Sequence, residues 1–134
     1  MAIHNASIAE ILRRVADLLE IEGANPFRIR AYRRAALTIE DLPQSAARMV
    51  AEGETLVGLP GIGKDLAGKI TEIIVTGHLE ALAEIEARTP TTLAALTTVP
   101  GLGPKRVHQL HEALEIKTFK DLERAARAHN IRKL

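Results

Sequence analysis

Leu59-Pro60-Gly61-Ile62-Gly63-Lys64-Asp65-Leu66-Ala67-Gly68-Lys69-Ile70 sets the architecture of this chain, because it returns as Val99-Pro100-Gly101-Leu102-Gly103-Pro104-Lys105-Arg106-Val107-His108-Gln109-Leu110. The shared frame is aliphatic-Pro-Gly-aliphatic-Gly, followed by apolar residues at helical spacing. Proline has no N–H to donate and keeps the residue before it out of the helical region, so a preceding helix stops there. The glycines permit positive φ and remove the Cβ that would hold another backbone away. The aliphatic residue between them is expected to turn inward and pin the turn to the core. A helix follows directly; its first N–H groups lack intrahelical acceptors and lie at the positive end of the helix dipole. A helix start beside bare backbone is an anion site, and phosphate is the natural anion. One copy is a weak signal. Two copies in register are a strong one.

The rest of the chain reads as helices around these turns. Asn5 is the expected N-cap of a first helix, with Ile8, Ile11, Leu12, Val15, Leu18 and Leu19 at helical spacing and Gly23 as its stop. Asn25-Pro26 supplies the N-cap and first position of a second helix carrying Phe27, Ile29, Tyr32, Ala35, Ala36 and Ile39, ending near Leu42-Pro43. This is the most basic stretch, with Arg28, Arg30, Arg33 and Arg34 and no acid before Glu40. Ser45 to Ala51 predicts a short third helix, and Thr55 to Gly58 leads into the first turn. The next helix runs to Thr76, with Gly77 as its C-cap. Leu79 to Ala87 is acidic and amphipathic; Thr91 to Thr98 enters the second turn, whose exit helix reaches Leu114. A last helix is expected from Thr118 to His129, acidic early and basic late as the dipole favours. No stretch shows period-two alternation. The fold class is all-α, divided into residues 1–77 with the first turn and 78–134 with the second.

Composition narrows the function. The 134 residues carry a net charge of only +1, so a phosphate binder of this kind must concentrate its cations locally. Phe27, Tyr32 and Phe119 are the only aromatics, too few for base stacking along a single strand to be a main theme. The absence of cysteine excludes a disulfide framework and thiolate metal sites. No apolar run approaches membrane-spanning length and no signal peptide is evident. The expectation is a cytoplasmic, nucleoid-associated protein.

The run Asn25-Pro26-Phe27-Arg28-Ile29-Arg30-Ala31-Tyr32-Arg33-Arg34-Ala35-Ala36, followed by Leu59-Pro60-Gly61-Ile62-Gly63 and Lys69, resembles the N-terminal part of bacterial family X DNA polymerases. That part is similar to the lyase domain and adjoining DNA-binding subdomain of polymerase beta, and its turns are helix-hairpin-helix motifs. The resemblance runs from about Asn5 to Leu134. The family's polymerase palm would begin after the last residue here, which leaves open a stand-alone protein or a fragment.

The resemblance implies a DNA partner, contacted at the 5′-phosphate side of a gap through Gly61, Gly63 and Asp65, with Lys64 beside them. The second hairpin would contact the primer side through Gly101, Gly103, Lys105 and Arg106. It implies a monovalent cation, K⁺ or Na⁺, held by the carbonyls of Val57, Leu59 and Ile62, and another by those of Thr97, Val99 and Leu102. Arg28 and Tyr32 would belong to a 5′-phosphate pocket, with Arg33 on the same basic helix, and Lys69 falls where lyase members carry a Schiff-base lysine. Two pocket positions that are lysine in polymerase beta are Val57 and Asp65 here, which implies a less basic pocket.

Competing readings have their own signatures. Gly58 to Asp65 is one residue short of a P-loop, but Asp65 replaces the Ser/Thr that would bind magnesium and no strand precedes it. His108, His111, Glu112 and Glu115 share neighbouring turns without a His-Glu-x-x-His arrangement, on a face expected to be exposed. The acid-free run of arginines favours a backbone-contacting face over a merely solvated one. Tyr32, with apolar neighbours at helical spacing, reads as a half-buried core residue before a stacking platform. A Schiff-base Lys69 needs a neutral amine, and Asp65 one turn earlier stabilises the ammonium instead. The sequence therefore supports a sequence-independent DNA-binding module, with an abasic-site or deoxyribose-phosphate lyase as one alternative. A protein-interaction adaptor, with structural hairpins and the acidic helix as partner face, is the other.

Overall fold

The computed structural model describes residues 3–89, 101 and 103–114, with side chains to residue 109. Six helices lie among the described residues: α1 (Asn5–Ile21), α2 (Pro26–Glu40), α3 (Ala46–Ala51), α4 (Lys64–Thr76), α5 (Glu80–Arg88) and α6 (Pro104–Leu114). No strand occurs among the described residues, and none of these helices is long and apolar enough to cross a membrane. The expected last helix, Thr118 to His129, and the approach from Thr91 to Thr98 lie outside the described residues.

Helix α1 is the axis of the molecule. It packs chiefly along α2 and also meets α4, α5 and α6. Its buried set, Ile8, Ala9, Leu12, Val15, Ala16, Leu18, Leu19 and Ile21, is broader than one amphipathic stripe, because helices approach it from several sides. Against it lie Ile29, Tyr32, Ala35, Ala36 and Ile39 of α2, Ile70 and Ile73 of α4, Ile85 of α5 and Val107 of α6. Ala9 and Ala16 of α1 and Ala35 and Ala36 of α2 are fully buried in this core, and each large aliphatic side chain fully buried there contributes about 1.5–3 kcal/mol.

The caps explain the boundaries. Asn25 Oδ1 accepts from the Phe27 N–H at 2.8 Å, and Pro26 opens α2 without wasting a donor. Ser45 Oγ accepts from Arg48 N–H, and Gly77, at φ 76°, closes α4 in the left-handed region. Asn5 departs from its expected role. His4 is the N-cap of α1, and the Asn5 amide instead donates to the Gln44 carbonyl and accepts from Ala46 N–H, both at 2.8 Å. The residue thus ties the α2–α3 connection to the start of α1. At the other end of α1, Arg88 of α5 donates through Nε and Nη2 to both Glu22 carboxylate oxygens at 2.9 Å. That charge-assisted pair lowers the Glu22 pKa from the ordinary carboxylate value.

Candidate nucleic-acid interface

The first hairpin is built by short-range hydrogen bonds and one anchor. Leu59 N–H donates to the Leu56 carbonyl, Ile62 N–H to Leu59 at 2.9 Å, and Gly58 N–H to Ile62 at 3.2 Å. Gly58 and Gly61 take φ of 102° and 77°, which no other residue type adopts readily. Ile62 turns inward as expected, with 4% of its surface exposed. The turn is also fastened to α2. Thr38 Oγ1 donates to the Pro60 carbonyl at 2.6 Å, and a Cβ built on Gly61 would lie 2.7 Å from Arg34 Cδ. Thr38 and Arg34 share a face of α2 at i, i+4 spacing, so the face was legible; the partner across it was not.

Gly63 begins α4 in extended backbone, φ −92° and ψ −170°, with no side chain capping the helix. Its carbonyl accepts the first intrahelical bond, from Ala67 N–H. The N–H groups of Lys64, Asp65 and Leu66 find no acceptor among the described residues. Gly63 has open space where a Cβ would stand, and Lys64 is exposed. The second hairpin repeats this geometry where it is described. Gly101 has φ 84°, Val107 N–H donates to the Gly103 carbonyl, Gly103 has open space, and Lys105 and Arg106 are exposed. Thr97, Val99 and Leu102 lie outside the described residues.

The basic helix is less uniform than its sequence. Arg33 was expected on an unneutralised face, yet its guanidinium reaches Asp17 at 3.0 Å and Glu20 at 3.1 Å on α1. Burial works against its charge, and the hydrogen bonds to those two carboxylates more than compensate, raising its pKa. The acids that neutralise it are distant in sequence, so Arg33 is an internal tie. Arg34 packs under the hairpin. Arg28 and Arg30 remain on the surface, Arg30 lying over the Phe27 ring at 4.7 Å from its centroid. Phe27 itself is 75% exposed rather than in the core.

Tyr32 is more deeply placed than expected, at 3% exposure, and its hydroxyl has no hydrogen-bond partner. An unsatisfied buried hydroxyl costs about 1–3 kcal/mol. Lys69 donates to Asp65 Oδ1 at 2.8 Å. Partial burial pulls its pKa down, but the Asp65 hydrogen bond and the electrostatic pull of Tyr32 and Asp65 outweigh that and the opposing Arg28, leaving the pKa above the ordinary lysine value. Lys69 is therefore a held ammonium.

The histidine reading changes with α6 in place. His108 is half-buried, with Nδ1 2.7 Å from the Ile21 carbonyl, not on an open face. No group of three or more metal-ligating side chains occurs among the described residues.

Comparison with known proteins agrees with this geometry. The helix-hairpin-helix domain family matches residues 3–79, and the SAM-like helix-hairpin-helix tandem family matches 54–117 and 93–134. The DNA polymerase/3′-5′ exonuclease PolX of Bacillus subtilis is 30% identical over 132 residues, covering 98% of this chain and 22% of that protein. DNA polymerase lambda of Arabidopsis thaliana is 30% identical over 120 residues, covering 89% of this chain and again 22% of the relative. The chain thus spans about a fifth of the length of the curated relatives it matches. With two family matches that between them take in both hairpins, and an all-helical frame that presents the first of them at the surface, the chain belongs to the helix-hairpin-helix family and resembles the N-terminal region of family X DNA polymerases.

Proposed function

We propose that this chain binds DNA through its phosphate backbone, without sequence preference, and favours gapped, nicked or 5′-phosphorylated DNA of the kind met in repair. The observation that carries the reading is the start of α4, where the Lys64, Asp65 and Leu66 N–H groups find no acceptor among the described residues and no side chain caps the helix beside the open Gly63. A phosphate oxygen is an acceptor that satisfies these donors and neutralises the exposed Lys64 beside them. Gly61, Gly63, Lys64 and the Asp65 N–H supply amides and charge at the first hairpin. Gly101, Gly103, Lys105 and Arg106 do so at the second.

A monovalent cation suits the first hairpin chemically. The Leu59 and Ile62 carbonyls each accept one backbone hydrogen bond, leaving a second lone pair, and no backbone donor reaches the Val57 carbonyl among the described residues. When bound, such an ion adds positive charge beside the phosphate.

Affinity for duplex DNA is expected to fall steeply with salt, with a slope of about −0.9 for each phosphate neutralised, and to be indifferent to base sequence. Titrations at several salt concentrations measure this; a slope near zero, or strong preference among sequences of equal structure, overturns the reading. Tyr32→Phe is expected to raise the stability of the free protein by about 1 kcal/mol, since it deletes an unsatisfied buried group. A lower denaturant midpoint in Tyr32→Phe would mean the hydroxyl already has a partner.

Lys69 holds phosphate as an ammonium in this reading, so Lys69→Arg keeps binding and Lys69→Ala loses part of it. The lyase alternative requires the neutral amine. Borohydride trapping of the parent on abasic DNA, lost in Lys69→Ala, would make Lys69 a nucleophile and replace the holding role.

A further inference from the structure

A groove of about 380 Å³ runs between the α1–α2 turn and the start of α6, and Tyr32 is not among its lining residues. Its cationic wall is Arg30, Arg33 and Lys105, and the acid among its lining residues is Glu20. Glu20 already binds Arg33, whereas Arg30 and Lys105 have no carboxylate partner among the described residues. The groove is thus net positive in a protein whose overall charge is +1.

Its floor is equally informative. Gly23, Ala24 and Pro26 offer no side-chain donor or acceptor, so these three residues cannot read a base edge. Gly23 has φ 76°, and a Cβ on it would lie 2.8 Å from the His108 ring. His108, fastened to the Ile21 carbonyl, therefore holds the first turn of α6 against a floor that has to stay bare. The result brings a cation of α2, Arg30, into the same cleft as a cation of the second hairpin's exit helix, Lys105. Neither belongs to the first hairpin.

We propose that this groove seats a phosphodiester of the bound strand, clasped between Arg30 and Lys105, and so links the basic helix α2 to the second hairpin in one continuous phosphate track. The inference rests on the DNA-binding reading above. A phosphodiester fits better than a nucleotide because cations dominate the polar lining, and the one ring in the cleft, His108, is already engaged through Nδ1 with the Ile21 carbonyl. His108 is a positioning residue in this arrangement, setting the separation of the two cations. Free inorganic phosphate has the same charge chemistry, and the experiment distinguishes the two sources.

The test uses the full chain, with Arg30→Gln, Lys105→Gln, their double variant and Lys64→Gln as first-hairpin comparison. Duplex affinity is measured across salt concentrations, and inorganic phosphate is titrated separately while NMR follows His108. The double variant should shorten the salt slope by about 0.9, for the one phosphate lost. Arg30→Gln and Lys105→Gln should be coupled, their combined loss falling short of the product of the single losses, while Arg30→Gln and Lys64→Gln multiply independently. A parent with no salt dependence overturns the DNA reading and the groove together. A steep parent slope that the double variant leaves unchanged, or independent Arg30 and Lys105 effects, overturns the groove alone. Saturable phosphate shifts at His108 that the double variant abolishes, with an unaltered DNA slope, would assign the groove to a free anion and overturn the strand assignment.

Discussion

Gly63→Val is expected to bind gapped DNA about tenfold to a hundredfold more weakly than the parent while still melting cooperatively, the equivalent of about 1.5–3 kcal/mol for a lost hydrogen bond to a charged group. The separation of effects follows from local geometry. Gly63 is extended, at φ −92°, and nothing lies within 4 Å of an added Cβ, so the branch point of the new side chain meets neither strain nor a clash. Replacing glycine at an N-cap costs α4 about 1 kcal/mol, small beside the typical total of about 5–15 kcal/mol. What valine does obstruct is the approach of a phosphate to the free N–H groups of the first turn of α4. Gly61→Val is the contrasting control: it needs φ 77° and drives a side chain onto Arg34, so it should lose stability as well. A folded Gly63→Val protein with parental affinity would make the hairpin a structural turn and bring forward the adaptor reading, with α5 as its partner face.

Ile62→Ala has the largest expected effect on stability, about 2–5 kcal/mol, read as a fall in the denaturant midpoint. Ile62 is 4% exposed and belongs to the same core as Leu56, Leu66 and Ile70, so truncation leaves a cavity under the hairpin. Because the amide-bearing backbone on either side of it is positioned by that anchor, DNA affinity should also fall in molecules that remain folded. Thr38→Val removes the other fastening, the bond to the Pro60 carbonyl, without opening a cavity. A stability loss in Ile62→Ala below about 1 kcal/mol would show that the hairpin holds its place without a core anchor.

Much of this molecule is carried by short-range rules. Asn25-Pro26, Ser45 and Gly77 mark helix ends because their side chains, or the lack of one, satisfy nearby backbone groups whatever the fold around them. The hairpin is similarly local: Pro60, two glycines and an inward Ile62 close it through bonds spanning a few residues. The Lys69–Asp65 pair lies one helical turn apart, so the ammonium character of Lys69 was legible from spacing alone.

Other features depend on residues far apart in the chain. Arg33 belongs to an acid-free run in sequence, but packing α1 along α2 delivers Asp17 and Glu20 to it. Asn5 has the chemistry of an N-cap, yet the loop before α3 comes within hydrogen-bond reach and takes its amide instead. Tyr32 shows an apolar spacing either way; only the closed core leaves its hydroxyl without a partner. The Arg30–Lys105 cleft exists because His108 fastens α6 to the end of α1. The sequence by itself determined the described helices, most of their ends and the glycine turn of the first hairpin, since these are settled within a turn or two of backbone. Which cations stay available to a ligand was decided by tertiary structure alone, because a charge is neutralised by whatever packing places beside it.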